Sequence, residues 1–155
     1  MSLEHDFFLI PRGFEMDSWT EWYSRNRFSW GNKTGIDNSL INYISDTLGW
    51  IPSYNPETKS PIHGLNYYGE TIISDQGAVM LSQIVQRWIS LFSVSPEVFK
   101  LKSEIVWVEE GEDGGYWQDE LVEYRKEFVI DSLRKLLLLS EKAQEGQYFL
   151  LHYGI

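Results

Sequence analysis

The chain has 155 residues, 43% hydrophobic, 15% aromatic and 23% charged, a usage that excludes wholly disordered and fibrous classes and predicts a single domain over residues 1–155. Thirteen Lys and Arg stand against 23 Asp and Glu, a net charge of −10, which opposes attraction to nucleic acid or anionic lipid and favours a basic partner. With no Cys, disulfides, thiolate metal sites and cysteine nucleophiles are excluded.

The start, Met1-Ser2-Leu3-Glu4-His5-Asp6, lacks the positive charge and apolar run of a secretory signal, and no stretch approaches the ~18 to 20 apolar residues of a membrane span, so a cytoplasmic protein is expected. Phe7-Phe8-Leu9-Ile10, ended by Pro11 and Gly13, reads as a buried first strand. Asp17 or Ser18 can cap a helix with Trp19, Trp22 and Tyr23 on one side, ending before Trp30. A second helix starts at Asp37 or Asn38, turns Leu40, Ile41, Ile44 and Leu48 inward, and stops at Gly49.

From Ile51 to Gly64 three prolines and little apolar periodicity predict an irregular surface connection. Thr71-Ile72-Ile73 is a short strand, and the clearest helix runs from about Asp75 to Phe92, capped by Ser74, with Ala78, Leu81, Val85, Trp88 and Phe92 on its stripe. Ser95-Pro96-Glu97 signals a single helical turn through Phe99. Ile105 to Val108 reads as a strand ended by the turn from Gly111 to Gly115. A last helix starts between Asp119 and Lys126 and reaches about Gln144, and Leu136 to Leu139 predict burial on more than one side, Leu137 included. Gln147 to Tyr153 closes the chain as a covered strand. These elements predict an α+β fold, richer in helix than strand, with two longer helices on a small sheet.

Chemistry is harder to find. There is no HExxH, GxSxG, GxxxxGK[ST] or strand-linked GxGxxG, so no metal, phosphate or dinucleotide site and no cofactor is expected. Of the three histidines, His63 lies in the proline-rich stretch, and His152 reads as a satisfied histidine beside Leu150, Leu151 and Tyr153 or, alternatively, as a base. The aromatic residues can form core, an aromatic cage for a cation or an interface; Trp88 and Trp107 are expected to pack, while Trp117 can anchor a partner.

The most distinctive feature is Glu109, Glu110, Glu112 and Asp113 on a glycine turn, followed by Asp119, Glu120 and Glu123: seven acids from 109 to 123 with no Lys or Arg between them. Such a run is either a solvated loop or a docking surface that steers a basic protein. Together with Trp117 these residues form the candidate partner site.

Tyr68-Gly69-Glu70-Thr71-Ile72-Ile73 before a helix carrying Trp88, a later leucine-rich helix and the ending His152-Tyr153-Gly154-Ile155 resemble immunity proteins of bacterial polymorphic toxin systems, including contact-dependent growth inhibition. The resemblance implies a non-enzymatic protein that binds and neutralises one cognate toxin domain, often a nuclease. The alternatives are a small hydrolase or transferase using a carboxylate and His152, and a subunit of a larger assembly.

Overall fold

The computed structural model describes residues 3–15 and 17–155. Strand β1 (Glu4–Pro11) is followed by helix α1 (Trp19–Asn26), strand β2 (Lys33–Asp37) and helix α2 (Asn38–Leu48). Local capping sets both helix starts: the Ser18 side chain accepts from the Glu21 amide, and Asp37 accepts from the Leu40 amide. Leu40, Ile41, Ile44 and Leu48 are all buried, as their spacing predicts.

The proline-rich stretch is more ordered than its composition predicts. It forms an antiparallel pair, β3 (Pro52–Tyr54) and β4 (Pro61–His63), with Pro61 at the start of an edge strand where its missing N–H is tolerated. Strand β5 (Glu70–Ile73) leads to helix α3 (Gln76–Ser93). Ser74 contributes only its carbonyl to that helix start; the N-cap is Asp75, at φ 49° and without a side-chain capping bond.

The expected helical turn at Ser95 to Phe99 is absent, because Val98 and Phe99 are already paired to Arg125 and Tyr124 in a long hairpin. Its strands are β6 (Val98–Glu109) and β7 (Gly115–Arg125), so the last helix starts at the late limit of its expected window, at Lys126, and the preceding residues from Asp119 are strand. Helix α4 (Lys126–Ala143) and strand β8 (Tyr148–Tyr153) complete the chain. The four helices take 36% of the residues, close to the share in strands, so the predicted excess of helix is not present. The main sheet, with six strands in the order β2-β1-β8-β5-β3-β4, is also larger than expected.

Every pairing in that sheet is antiparallel. Strands β1 and β8, neighbours inside this sheet, are covered on both faces, which explains why they read as nearly continuous apolar runs. On one face His5, Phe7, Leu9, Leu150 and Ile73 meet the apolar sides of α2, α3 and α4; on the other, Phe8, Ile10 and Leu151 meet Trp22 of α1. The arrangement is α+β, with the sheet between one short helix and three others. Among the described residues no helix is long and apolar enough to cross a membrane.

In α4 the leucine run has a clear orientation that its composition hides. Leu133 and Leu136 are fully enclosed and Leu139 is buried, whereas Leu137 is only half-buried and Leu138 is 58% exposed. The expectation for Leu137 is therefore corrected by helical geometry, since four consecutive residues point around most of the circumference and cannot share one inner face. Leu133→Ala or Leu136→Ala should cost about 2 to 5 kcal/mol, and Leu138→Ala about 0.5 kcal/mol or less. Urea melts of the three variants measure this; a loss for Leu138→Ala as large as for the other two would contradict the stated inner face of α4.

Candidate functional site

The acidic residues singled out from sequence all lie on the β6–β7 hairpin. Its base is part of the body: Leu101 and Tyr124 are buried, Phe99 stacks on Phe92 of α3 at 5.7 Å between ring centroids, and the Tyr124 hydroxyl donates to Asp37 at the start of α2. Burial first, and then the Asp37 carboxylate, raise the Tyr124 hydroxyl above its ordinary pKa, so it stays a protonated donor. Beyond Lys102 the register changes. Lys102 faces Leu121 and Ile105 faces Asp119, so Ser103 and Glu104 together oppose Glu120 alone. The bulge lies where β6 meets α2, with the Ser103 hydroxyl donating to Ser39 Oγ at 2.8 Å and Asn42 donating to Glu104 at 3.4 Å.

Past the bulge the hairpin stands away from the body. Its outer face carries Ile105 opposite Asp119, Trp107 opposite Trp117 and Glu109 opposite Gly115. Trp117 is 68% exposed, and Trp107, expected to be packed, is 49% exposed. Burial of Trp107 would need a further layer over that face, and among the described residues no element covers it. The two indoles meet edge to face, 5.3 Å apart at 66°. Gly115 makes their placement possible, since a Cβ there would fall 2.5 Å from a Trp107 ring carbon and 2.5 Å from the Val108 carbonyl oxygen. Gly111, at φ +75°, turns the chain, and the Glu110 amide donates to the Gly114 carbonyl to close the loop.

The seven acids are thus divided. Glu109, Glu110, Glu112 and Asp113 occupy the tip, all exposed and, among the described residues, with no ion pair. Asp119 is held at 2.5 Å by Lys102, and Glu123 lies opposite Lys100. Glu120 points to the other face, at the bulge. The run looks cation-free in sequence because its two lysines arrive from the opposite strand.

The histidines are elsewhere. His5 and His152 are fully buried and in contact at the centre of the sheet, His5 Nδ1 to His152 Nε2 at 2.9 Å. Their tautomers follow from the surroundings. His5 Nε2 faces the acceptor Asn38 Oδ1 at 3.0 Å and so carries the proton, His5 Nδ1 accepts from His152 Nε2–H, and His152 Nδ1 accepts from the Thr71 hydroxyl at 3.4 Å. Thr71 in turn accepts from the Asn66 amide. His152 has no exposed surface, and both of its ring nitrogens are hydrogen-bonded. A small cavity of about 150 Å³ reaches His5, His63 and Tyr67, but among the described residues no group of three His, Cys, Asp or Glu is placed to hold a metal.

One open cleft of about 400 Å³ lies beside β1 and α1, lined by Asp6, Tyr23, Arg27, Phe28 and Lys33 among others. Of the two side-chain carboxylates that line it, Glu4 is exposed, while Asp6 is engaged, accepting from the Tyr23 hydroxyl at 2.7 Å with Lys33 at 3.8 Å. Arg27 lies over the Tyr23 and Phe28 rings, and its Nε, like Trp22 Nε1, is buried without a hydrogen-bond partner in the structure.

Burial lowers the pKa of His5 from 6.5, against a smaller opposing effect of the Asn38 hydrogen bond, and burial with the neighbouring His5 lowers that of His152 well below 6.5. Both are neutral when folded and take up protons when unfolded, so stability is full above about pH 6.5 and falls as the pH drops, by about 1.4 kcal/mol per unit for each histidine still neutral in the fold. Urea melts at about pH 7 and pH 5 should differ accordingly, and His152→Gln should reduce the difference. Equal stability at the two values would contradict a neutral buried pair.

No protein-family model, no curated protein and no solved structure matches this chain.

Proposed function

We propose that this chain is an immunity protein that binds a cognate bacterial toxin domain in the cytoplasm and neutralises it without catalysis, a nuclease domain being the partner that best fits its charge. The observation that carries this reading is the β6–β7 arm. It is anchored at its base by Tyr124, Phe99 and Leu101, exposes Trp107 and Trp117 beyond the bulge, and ends in four unpaired carboxylates. Lys and Arg that a nuclease uses to hold phosphate are the natural complement of such a tip, which both steers the encounter and covers the substrate groove. An arm already paired as a hairpin also costs less to order on binding than an irregular loop.

Against the hydrolase or transferase alternative stands the placement of His152, which is enclosed and hydrogen-bonded at both nitrogens. Asp6 in the open cleft is engaged by Tyr23 and Lys33, and the cleft's other side-chain carboxylate, Glu4, has no histidine beside it in the lining. The burial of His152 and the engagement of Asp6 support the binding reading over this alternative.

The test is co-expression with the toxin domain encoded beside this chain, read as growth rescue, together with association kinetics of the purified pair. Wild type should rescue. Replacing Glu109, Glu110, Glu112 and Asp113 with Lys should slow association by about 10-fold or more at low salt, with a smaller effect at high salt. Thermal melting should change little, since exposed substitutions of this kind shift stability by about 0.5 kcal/mol or less each. Failure to bind or rescue by the wild-type chain would overturn the immunity reading; unchanged kinetics in the folded fourfold variant would remove the tip from the interface.

A further inference from the structure

We propose that the corner formed by Trp107 and Trp117 on the outer face of the hairpin receives an arginine side chain of the basic partner, an inference that rests on the arm being the partner-binding element. Two indoles in edge-to-face contact, 5.3 Å apart and inclined at 66°, are 49% and 68% exposed and present aromatic surface in two orientations. The placement is built into the backbone, because only a glycine at 115 lets the Trp107 ring lie across the neighbouring strand.

The corner has no cation of its own. Among the described residues the cation–aromatic contacts involve Arg27 and Lys33 on the body, while Lys102, on the outer face of the hairpin, is tied to Asp119. Glu109 follows Trp107 on the same face, next to the three unpaired carboxylates of the turn. Aromatic faces bordered by carboxylates attract a cation by the ring quadrupole and by charge together.

Arginine fits better than lysine. Its planar, weakly hydrated guanidinium stacks on an indole while its remaining N–H groups reach a carboxylate, whereas an ammonium holds its water more strongly. Stacked nucleobases are disfavoured because their phosphates would meet the acidic tip, and the hairpin of a second copy would bring like charges together.

The experiment titrates the full chain with a capped oligoarginine peptide and follows tryptophan fluorescence and calorimetry, with oligolysine and the isosteric neutral oligocitrulline as comparisons. Oligoarginine should bind saturably, more tightly than oligolysine, and oligocitrulline should not bind. Trp117→Ala and Trp107→Ala should each weaken oligoarginine binding by about 2- to 30-fold. Trp117→Leu, which keeps apolar bulk without a ring quadrupole, should resemble Trp117→Ala, while Trp117→Phe should retain part of the affinity; thermal melts report folding of each.

Oligocitrulline binding as well as oligoarginine, equal affinity for the two basic peptides, or undiminished oligoarginine binding by folded Trp107→Ala and Trp117→Ala would each overturn the arginine site and leave an interaction of another kind. The growth-rescue assay separates this from the immunity reading. Rescue by wild type with no dependence of oligoarginine binding on the two tryptophans keeps that reading and overturns this one. Tryptophan-dependent oligoarginine binding without rescue overturns the immunity reading and supports the arginine site.

Discussion

The pairing of β1 with β8 is the constraint on which the rest of the molecule depends. These strands come from opposite ends of the chain, run antiparallel from Asp6 opposite Tyr153 to Pro11 opposite Tyr148, and have their middle residues buried on both faces. Joining them closes a loop of nearly the whole sequence, an entropic cost offset only when both apolar faces are covered together. Helix α1 must therefore cover Phe8, Ile10 and Leu151 while α2, α3 and α4 cover Phe7, Leu9 and Leu150. The buried histidine pair belongs to the same constraint. A slip of one residue between the strands would turn His5 or His152 to the other face and leave its partner's ring nitrogen without a hydrogen bond in the core.

Once that sheet exists, the start of α2 beside it becomes the mounting point for the arm. Asp37 caps α2 through the Leu40 amide and also accepts from the Tyr124 hydroxyl, so one carboxylate links a helix start to the base of the hairpin. Ser39 and Asn42, on the first turns of the same helix, meet the bulged residues Ser103 and Glu104. A two-stranded ribbon alone is marginally stable in water. Here its inner half is packed as part of the core, and its outer half is extended from that support by continuous pairing to Glu109 opposite Gly115. The bulge separates the two halves, which differ in composition: aromatic and aliphatic packing below, paired indoles and carboxylates above.

The electrostatics of the arm follow from strand pairing. Lys100 lies opposite Glu123 and Lys102 reaches Asp119 diagonally, which reduces self-repulsion along the shaft and leaves the unpaired negative charge at the far end. A tip of that kind acts on encounter at a distance, whereas the adjacent aromatic corner acts after contact, when water is displaced. The central histidines have no part in this surface.

Local chemistry determined a good deal by itself. Ser18 and Asp37 marked helix starts through side-chain caps, the spacing of Leu40, Ile41, Ile44 and Leu48 defined a buried face, and the glycine turn with its carboxylates located the tip of the arm. Apolar runs on both parities identified β1 and β8 as covered strands. The tertiary structure alone decided that Gly115 to Arg125 is a strand, that Lys33 to Asp37 and the proline-rich stretch extend the sheet, that Trp107 is exposed, that two lysines oppose two of the acids, and that His5 meets His152. A cap or an amphipathic helix is specified by residues three or four positions apart. Cross-strand neighbours, by contrast, depend on a register that joins distant parts of the chain and is set by which faces are buried.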